Sequence, residues 1–419
     1  MKMKRLCALL LLLCSMSLTA CAQWYLFPGR NKKNNQTTVT DTVRQARPDT
    51  SLLRPTADTL TPVRPDSLFT ADTLAVEPED VFVLDIPSVF HVALALPLQA
   101  TSDKPSDNFL DFYSGALLAL RDLGNSGRRV DLEVYDTAES KTTLPQSVID
   151  DSDVILGPVT FQDISNTLPL VGKGTVLVSP LDPKAAELAA DGPVVQSPSP
   201  WTAQINEMLR WVREELPVGE EIYVVRDTST ATPAEQSEYL MERLAGSGVR
   251  FRTVLSVPEI PFQKGRMTRV IVASDRENFI TSAVRSLGIE GARNSNITLY
   301  GTSAIRTSNM AQTDLHNTQA HLALSYFIDY DDPDVRRFIL AYRALFQNDP
   351  GSFSFQGYDT MHYFVTICTM YGRQWFKKLP EYAEKGLQSD FRYTEADGRV
   401  NQAVRRVVYN QDLTTSVIR

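Results

Sequence analysis

The chain has 419 residues, 43% of them hydrophobic and 22% charged, with a formal net charge of −8. That length exceeds one ordinary domain and suits two lobes with additional segments. The acidic balance speaks against nucleic acid as a partner, because phosphate recognition asks for a basic face.

Residues 1–20 read as a secretory signal peptide. Lys2, Lys4 and Arg5 form a cationic start, and the apolar run from Leu6 to Leu13, continued through Met16 to Leu18, is too short for a comfortable bilayer span. The segment closes in Leu18-Thr19-Ala20-Cys21, which resembles the lipobox of bacterial lipoproteins. That resemblance implies cleavage before Cys21, acylation of its sulfur and amine, and a membrane anchor, each buried methylene contributing roughly 0.8 kcal/mol. The alternative is an ordinary signal peptide followed by an incidental cysteine. Ala22 stands where an aspartate would favour the inner membrane, so the pattern leans to the outer membrane, facing the periplasm. Cys7 and Cys14 leave with the signal, and Cys368, in the apolar setting Phe364-Val365-Thr366-Ile367, reads as an inert buried thiol.

Residues 21–87 are rich in Thr, Asp, Pro and Arg and poor in core-forming patterns, which predicts an extended tether. Thr56-Ala57-Asp58-Thr59-Leu60 recurs as Thr70-Ala71-Asp72-Thr73-Leu74, and Arg47-Pro48-Asp49 as Arg64-Pro65-Asp66. These echoes are either low-complexity linker or a docking motif. At about 3.1 Å per residue, such a tether reaches well beyond 100 Å.

From Phe90 the chain alternates apolar strands with amphipathic helices. "HVALALPL" (91–98) is a buried strand, Asp107 is placed as a helix N-cap, and Tyr113, Ala116, Leu117 and Leu120 follow at helical spacing. "VDLEVYD", "DVILG" and "TVLVS" are further strands, with a helix starting at "FQDISNTLPLV". After the loop "QSPSP" (196–200) the series restarts. Ile205, Met208, Leu209 and Val212 form one helical face, Tyr239, Leu240 and Leu244 another, and Phe279, Ile280, Ala283, Val284 and Leu287 a third. The strands between them are "EIYVVRD", "VRFRTVLSV", "RVIVASD" and "NITLYG". Buried strands alternating with helices specify α/β architecture with parallel sheets and right-handed crossovers.

The ordered set "VALALPLQ…FYSGALLAL…VDLEVYDT…DVILGPVT…VLVSP" resembles the amino lobe of the type I periplasmic-binding-protein fold, with the leucine/isoleucine/valine-binding proteins as the nearest family. "DPDVRRFILAYRALFQNDPGSFSFQGYDTMHYF" resembles that family's late helical segment, and "GLQSDFRYTEADGRVNQAVRRVVYN" its terminal hairpin. The resemblance runs from Val89 to Asn410. It implies two doubly wound parallel-sheet lobes, 88–197 with 326–385 and 198–325 with 386–419. The chain would cross between them near Ser197, near Ala323–Asp329 and near Gly386.

No motif for catalysis or a cofactor stands out, and a non-enzyme without cofactor or metal is expected. The histidines His91, His316, His321 and His362 lack metal-ligand spacing. "LQATSDKPSDN" replaces the glycine-rich loop of a dinucleotide-binding fold, and "GTSAI" (301–305) only approaches a nucleophile elbow. The family resemblance puts a ligand in the cleft between lobes, at the carboxyl ends of strands. Carried over position by position, it implies Thr160, Phe161, Ser179 and Asp182 from the first lobe, Ser274, Asp275, Thr302 and Ser303 from the second, and Tyr358 at the cleft or in hinge packing. The fit departs from an amino-acid binder. Phe161, Asp182 and Pro183 stand where small hydroxyls and free amides are wanted. Asp182 either contacts a cationic or neutral ligand or caps the helix beginning near Lys184.

Two functions follow. One is a lipid-anchored solute-binding or solute-sensing protein holding a small molecule. The other is an envelope interaction module similar to the penicillin-binding-protein activators, regulating peptidoglycan synthesis through a cell-envelope protein partner.

Overall fold

The computed structural model describes residues 86–138, 144–190, 192–229, 234–293, 296–306 and 309–418. The signal segment, Cys21 and nearly all of the 21–87 stretch lie outside the described residues.

Two sheets organise the described chain. The first holds β1 (Phe90–Leu96), β2 (Val130–Asp136), β3 (Val154–Leu156), β4 (Val176–Ser179) and β5 (Val194–Gln196) in the order β2-β1-β3-β4-β5. All its pairings are parallel, with Leu94 opposite Leu156 and Leu156 opposite Val178. The second holds β6 (Ile222–Arg226), β7 (Phe251–Val254), β8 (Met267–Ala273), β9 (Asn296–Thr302), β10 (His321–Leu324), β13 (Arg405–Tyr409) and β14 (Thr415–Ile418). Its order is β14-β13-β10-β9-β8-β6-β7. The pairings from β7 to β10 are parallel, and the two added at β13 and β14 are antiparallel. A two-residue ribbon, β11 (Glu384–Lys385) with β12 (Asp390–Phe391), stands apart.

The strands read as near-continuous apolar runs because helices cover both faces of a parallel sheet. The helices are α1 (Asp107–Asn125), α2 (Gln146–Asp151), α3 (Phe161–Thr167), α4 (Ala186–Ala189) and α5 (Trp201–Glu215), then α6 (Glu235–Ala245), α7 (Glu277–Ala292), α8 (Gln312–Asn317), α9 (Pro333–Phe346) and α10 (Ser352–Tyr371). The predicted faces are the packed ones: Ile205, Met208, Leu209 and Val212 of α5 share a core with Leu240 and Leu244 of α6. At the start of α1, Ser106 occupies the N-cap position and Asp107 the first helical turn, one residue on from the expected cap. β5, only three residues long, is an element the sequence pattern did not announce.

Although late in sequence, α10 packs on the first sheet: Met361, Tyr363, Phe364 and Ile367 share a core with Phe90, Leu94 and Leu156. Contact with α1 is backbone-close. A Cβ on Gly115 would lie 1.9 Å from the Ser354 carbonyl oxygen, and one on Gly357 would lie 2.0 Å from that of Phe112. Only glycine permits that approach. Phe391 and Tyr393 belong to the same first core, with Phe391 stacked on Tyr363 at 4.3 Å. The last passage toward the seven-stranded sheet therefore comes after Tyr393, later than the Gly386 position of the sequence reading.

Buried polar groups stitch the three passages together. Asn401 donates to the carbonyls of Ser197 and Asp390, both at 2.8 Å, and accepts from the Arg392 and Ala403 amides. The guanidinium of Arg405 reaches the carbonyls of Phe327, Gly386 and Leu387 and the Asp390 carboxylate. Asp359 accepts the amides of Leu387, Gln388 and Ser389 at 2.6–2.9 Å.

Candidate functional site at the strand-end loops

Each sheet contains a place where strand order reverses. In the first it lies between β1 and β3; in the second, between β6 and β8. Loops leaving neighbouring strands at such a point diverge to opposite faces and open a crevice at the carboxyl ends.

In the first sheet the crevice begins at Gly157, whose φ of +109° is accessible to glycine. A Cβ there would also fall 2.1 Å from the Ala95 carbonyl oxygen, so β1 and the loop after β3 meet without side-chain space. Thr160 then caps α3. Its hydroxyl accepts from the Asp163 amide at 3.2 Å and donates to the Asp163 carboxylate at 2.6 Å. Asp182 caps the 3-10 turn Pro183–Ala185, with Oδ1 accepting from the Lys184 amide at 2.9 Å. Its Oδ2 accepts from the Phe161 amide at 2.7 Å, and the Ser179 hydroxyl donates to the Asp182 carbonyl at 3.1 Å. Thr160, Phe161, Ser179 and Asp182 are thus brought together as one interlocked pair of loops. The capping alternative for Asp182 is the one seen in its hydrogen bonds.

In the second sheet, Ser274 donates to Asp227 at 2.8 Å. Arg276 clamps the same carboxylate through Nε and Nη2, at 2.7 and 3.0 Å. Burial alone would raise the Asp227 pKa; the hydrogen bonds from Arg276, Ser229 and Ser274 outweigh it and hold the carboxyl well below its usual range. Asp275 accepts from the Gln236 amide at the start of α6, at 3.2 Å, where the helix dipole favours a negative charge. Thr302 accepts from the Ala304 amide, and Ser303 is held by Gln204 through both its amide and its hydroxyl, at 3.0 and 2.7 Å. Ser274, Asp275 and Thr302 line one cavity of about 30 Å³ with Gln236 and Ile280. That is room for a water molecule.

Tyr358 lies elsewhere. Its hydroxyl donates to Asp122 at 3.1 Å, and it lines a separate cavity of about 430 Å³ with His362, Glu384 and Lys385. Burial, reinforced by Asp122, pushes its phenol well up.

Asp227, Gln204 and Gln356 were missed in the sequence. Asp227 closes the strand "EIYVVRD" and was legible as a strand-end acid at a reversal point; Gln204 and Gln356 sit within helices and carried no signal. Gln356 donates to the Pro180 carbonyl at 3.3 Å and accepts from the Gln388 side chain at 2.7 Å, linking a strand-end loop to the turn between β11 and β12.

Among the described residues, no group of three His, Cys, Asp or Glu is placed to hold a metal, and no helix is long and apolar enough to cross a membrane. Cys368 is fully buried, and burial pushes its thiol well up, away from the reactive thiolate.

Two mainly parallel sheets, a strand-order reversal in each and three hydrogen-bonded passages define the type I periplasmic-binding-protein fold. Solved structures agree. A putative branched-chain amino acid ABC transporter protein from Rhodospirillum rubrum superposes with a TM-score of 0.56 at 16% identity, covering 79% of this chain and 100% of its own. An ABC transporter substrate-binding protein from Desulfitobacterium hafniense does so at 0.50 and 14%, again covering 79% and 100%. The C-domain of LpoA from Haemophilus influenzae, described as a regulator of PBP1A, reaches 0.49 at 14%, covering 78% and 100%, a superposition too loose to bear on function. No family model matches the sequence, and no curated protein matches it. At these identities the likeness establishes the fold and leaves the ligand open.

Proposed function

We propose that this chain is a non-enzymatic, lipid-anchored solute-binding or solute-sensing protein of the cell envelope, anchored through Cys21 and facing the periplasm from the outer membrane. The observation that carries the reading is the pair of strand-order reversals, each furnished with polar loops. Thr160, Phe161, Ser179 and Asp182 would meet the ligand from one side, and Ser274, Asp275, Thr302 and Ser303 from the other.

The loop chemistry supports a neutral or cationic solute over a free α-amino acid. Holding an α-carboxylate calls for free amide donors. Here the Phe161 amide is spent on Asp182, and Pro180 and Pro183 have none. Asp182 and Asp275 each retain acceptor capacity for a donor group.

A thermal-shift screen over amino acids, peptides, amines and muropeptides tests this. A ligand at a hundredfold excess over its dissociation constant adds about 2.7 kcal/mol of stability. A screen without a hit would overturn it. Replacing Cys21 with serine should move the protein out of the membrane fraction; retention there would remove the anchor from the reading.

One observation favours the second reading, an envelope interaction module resembling the penicillin-binding-protein activators. Thr160, Asp182, Ser303 and Asp275 each make hydrogen bonds within the protein, as a structural strand end would. Retrieval of a peptidoglycan synthase from crosslinked envelopes, combined with an empty ligand screen, would select it.

A further inference from the structure

A cavity of about 720 Å³ shares no lining residue with either strand-end cluster. Its walls are the exposed side of α5, the carboxyl-terminal half of α6 and the segment that passes from β12 to β13. Four guanidinium groups line it: Arg210 and Arg213 on α5, Arg243 on α6 and Arg392 on the passing segment.

Arg210 is neutralised by Glu207 at 2.6 Å, which also accepts from Arg406 at 2.7 Å. The other three differ. Among the described residues, Arg213, Arg243 and Arg392 have no carboxylate within ion-pair distance. Arg243 donates through Nε to Asn206 Oδ1 at 3.2 Å, and Arg392 donates to the Gln402 carbonyl at 3.2 Å. Asn206 Oδ1 also accepts from the Tyr239 hydroxyl at 3.2 Å, which orients its amide and leaves the NH₂ group as a donor at the cavity wall. Three acids share the lining: Glu207, already paired with Arg210, and Glu242 and Asp397, the last accepting from the Thr394 hydroxyl at 2.7 Å.

With the Arg210–Glu207 pair set aside, three guanidinium forks against two acids do not suit a long polyanion, and the chain as a whole is acidic. They suit a compact solute with two or three separate oxyanion groups, each matched to one fork, because a guanidinium presents paired donors to carboxylate or phosphate. We propose that this cavity is a second ligand site, distinct from the strand-end crevices, for a small polycarboxylate or phosphate ester. An anion shared between Arg392 and Arg213 or Arg243 would tie the last passage between the cores to α5 and α6. Occupancy would then bias how that passage is held.

The test uses the whole chain in detergent, titrated with citrate and, separately, with inorganic pyrophosphate, each to about 10 mM, a range that captures millimolar affinity. A saturable rise in melting temperature is expected with at least one probe, weaker at about 0.3 M than at about 0.03 M salt, since these side chains are exposed to screening. Response to citrate alone assigns carboxylates, and to pyrophosphate alone, phosphates. The double variant Arg213→Ala/Arg243→Ala should raise the half-saturating concentration at least about tenfold, and Arg392→Ala likewise. Arg252→Ala, which loses the Glu221 pair and the contact with the Tyr223 ring on the edge strand β7, should leave it unchanged. The three target arginines are exposed, so the variants should fold, and circular dichroism confirms it. No response to either probe, or an equal response in the double variant, would overturn the proposal. Neither outcome depends on whether the strand-end crevices hold a solute.

Discussion

The carboxylate of Asp182 accepts the backbone amide of Phe161 at 2.7 Å, across 21 residues of sequence. This one bond joins the loop after β3 to the loop after β4, while the other oxygen of the same carboxylate caps the turn at Lys184. A residue proposed to meet a ligand is thus also the clasp between the two loops.

Replacing Asp182 with alanine should therefore cost stability whether or not a ligand is present. Losing the cap and stranding the Phe161 amide together predict roughly 1–3 kcal/mol in urea unfolding. Asp182→Asn should lose less, since its carbonyl still accepts one amide. Unchanged stability in the alanine variant would refute the clasp and leave ligand contact as its role.

Gly157→Ala should be more damaging than Gly127→Ala. Both glycines have positive φ, +109° and +88°, but only Gly157 has a carbonyl oxygen in the way of a Cβ. Strain alone predicts about 1 kcal/mol at Gly127, and the added collision at least about 2 kcal/mol at Gly157. Equal midpoints in denaturant would contradict the close approach of β1 to the loop.

Arg405→Met should destabilise by about 3–5 kcal/mol, because its side chain is 4% exposed and the Gly386, Leu387 and Phe327 carbonyls would lose their donor along with the Asp390 pair. Small-angle scattering on any folded fraction should show a changed radius of gyration if the passages set how the two cores are held. An unaltered melting temperature would rule out Arg405 as a tie between passages.

Asp359 gives a pH prediction. Burial raises its pKa from 3.8 to about 6, against the opposing hydrogen bonds from Leu387, Gln388 and Ser389. The folded state thus binds this proton more tightly than the unfolded chain. Its contribution to stability is fully present below about pH 4 and is lost as pH rises through 6, with a slope approaching about 1.4 kcal/mol per pH unit inside that window. Subtracting the unfolding free energy of Asp359→Asn from that of the native chain, point by point from pH 4 to 7, isolates the effect. A difference flat with pH would mean the carboxyl titrates normally.

Much of this was written locally. The runs at 91–96, 154–156 and 176–179 are strands because β-branched and leucine residues flanked by glycine, proline and serine leave few other options. The faces of α5, α6 and α7 follow from residues spaced three and four apart. What did not show was every relation across long sequence distance. Tyr393 belongs to the first core because its ring joins Tyr363, 30 residues earlier, and nothing near position 393 says so. Ser179 and Asp182 were recognisable as strand-end polar residues, but a hydroxyl or carboxylate serves a ligand or a cap equally well in sequence.

By itself, then, the sequence determined which segments are strands and helices, that they alternate into two α/β series, and that their ends carry polar loops. Periodicity and turn chemistry are local and need no partner. The tertiary structure alone decided how those polar groups are used. Asp182 became a clasp, Asp227 an anchor for Arg276, and Arg213, Arg243 and Arg392 the lining of one cavity, because a hydrogen bond or a charge acquires its role only from what folding brings within reach.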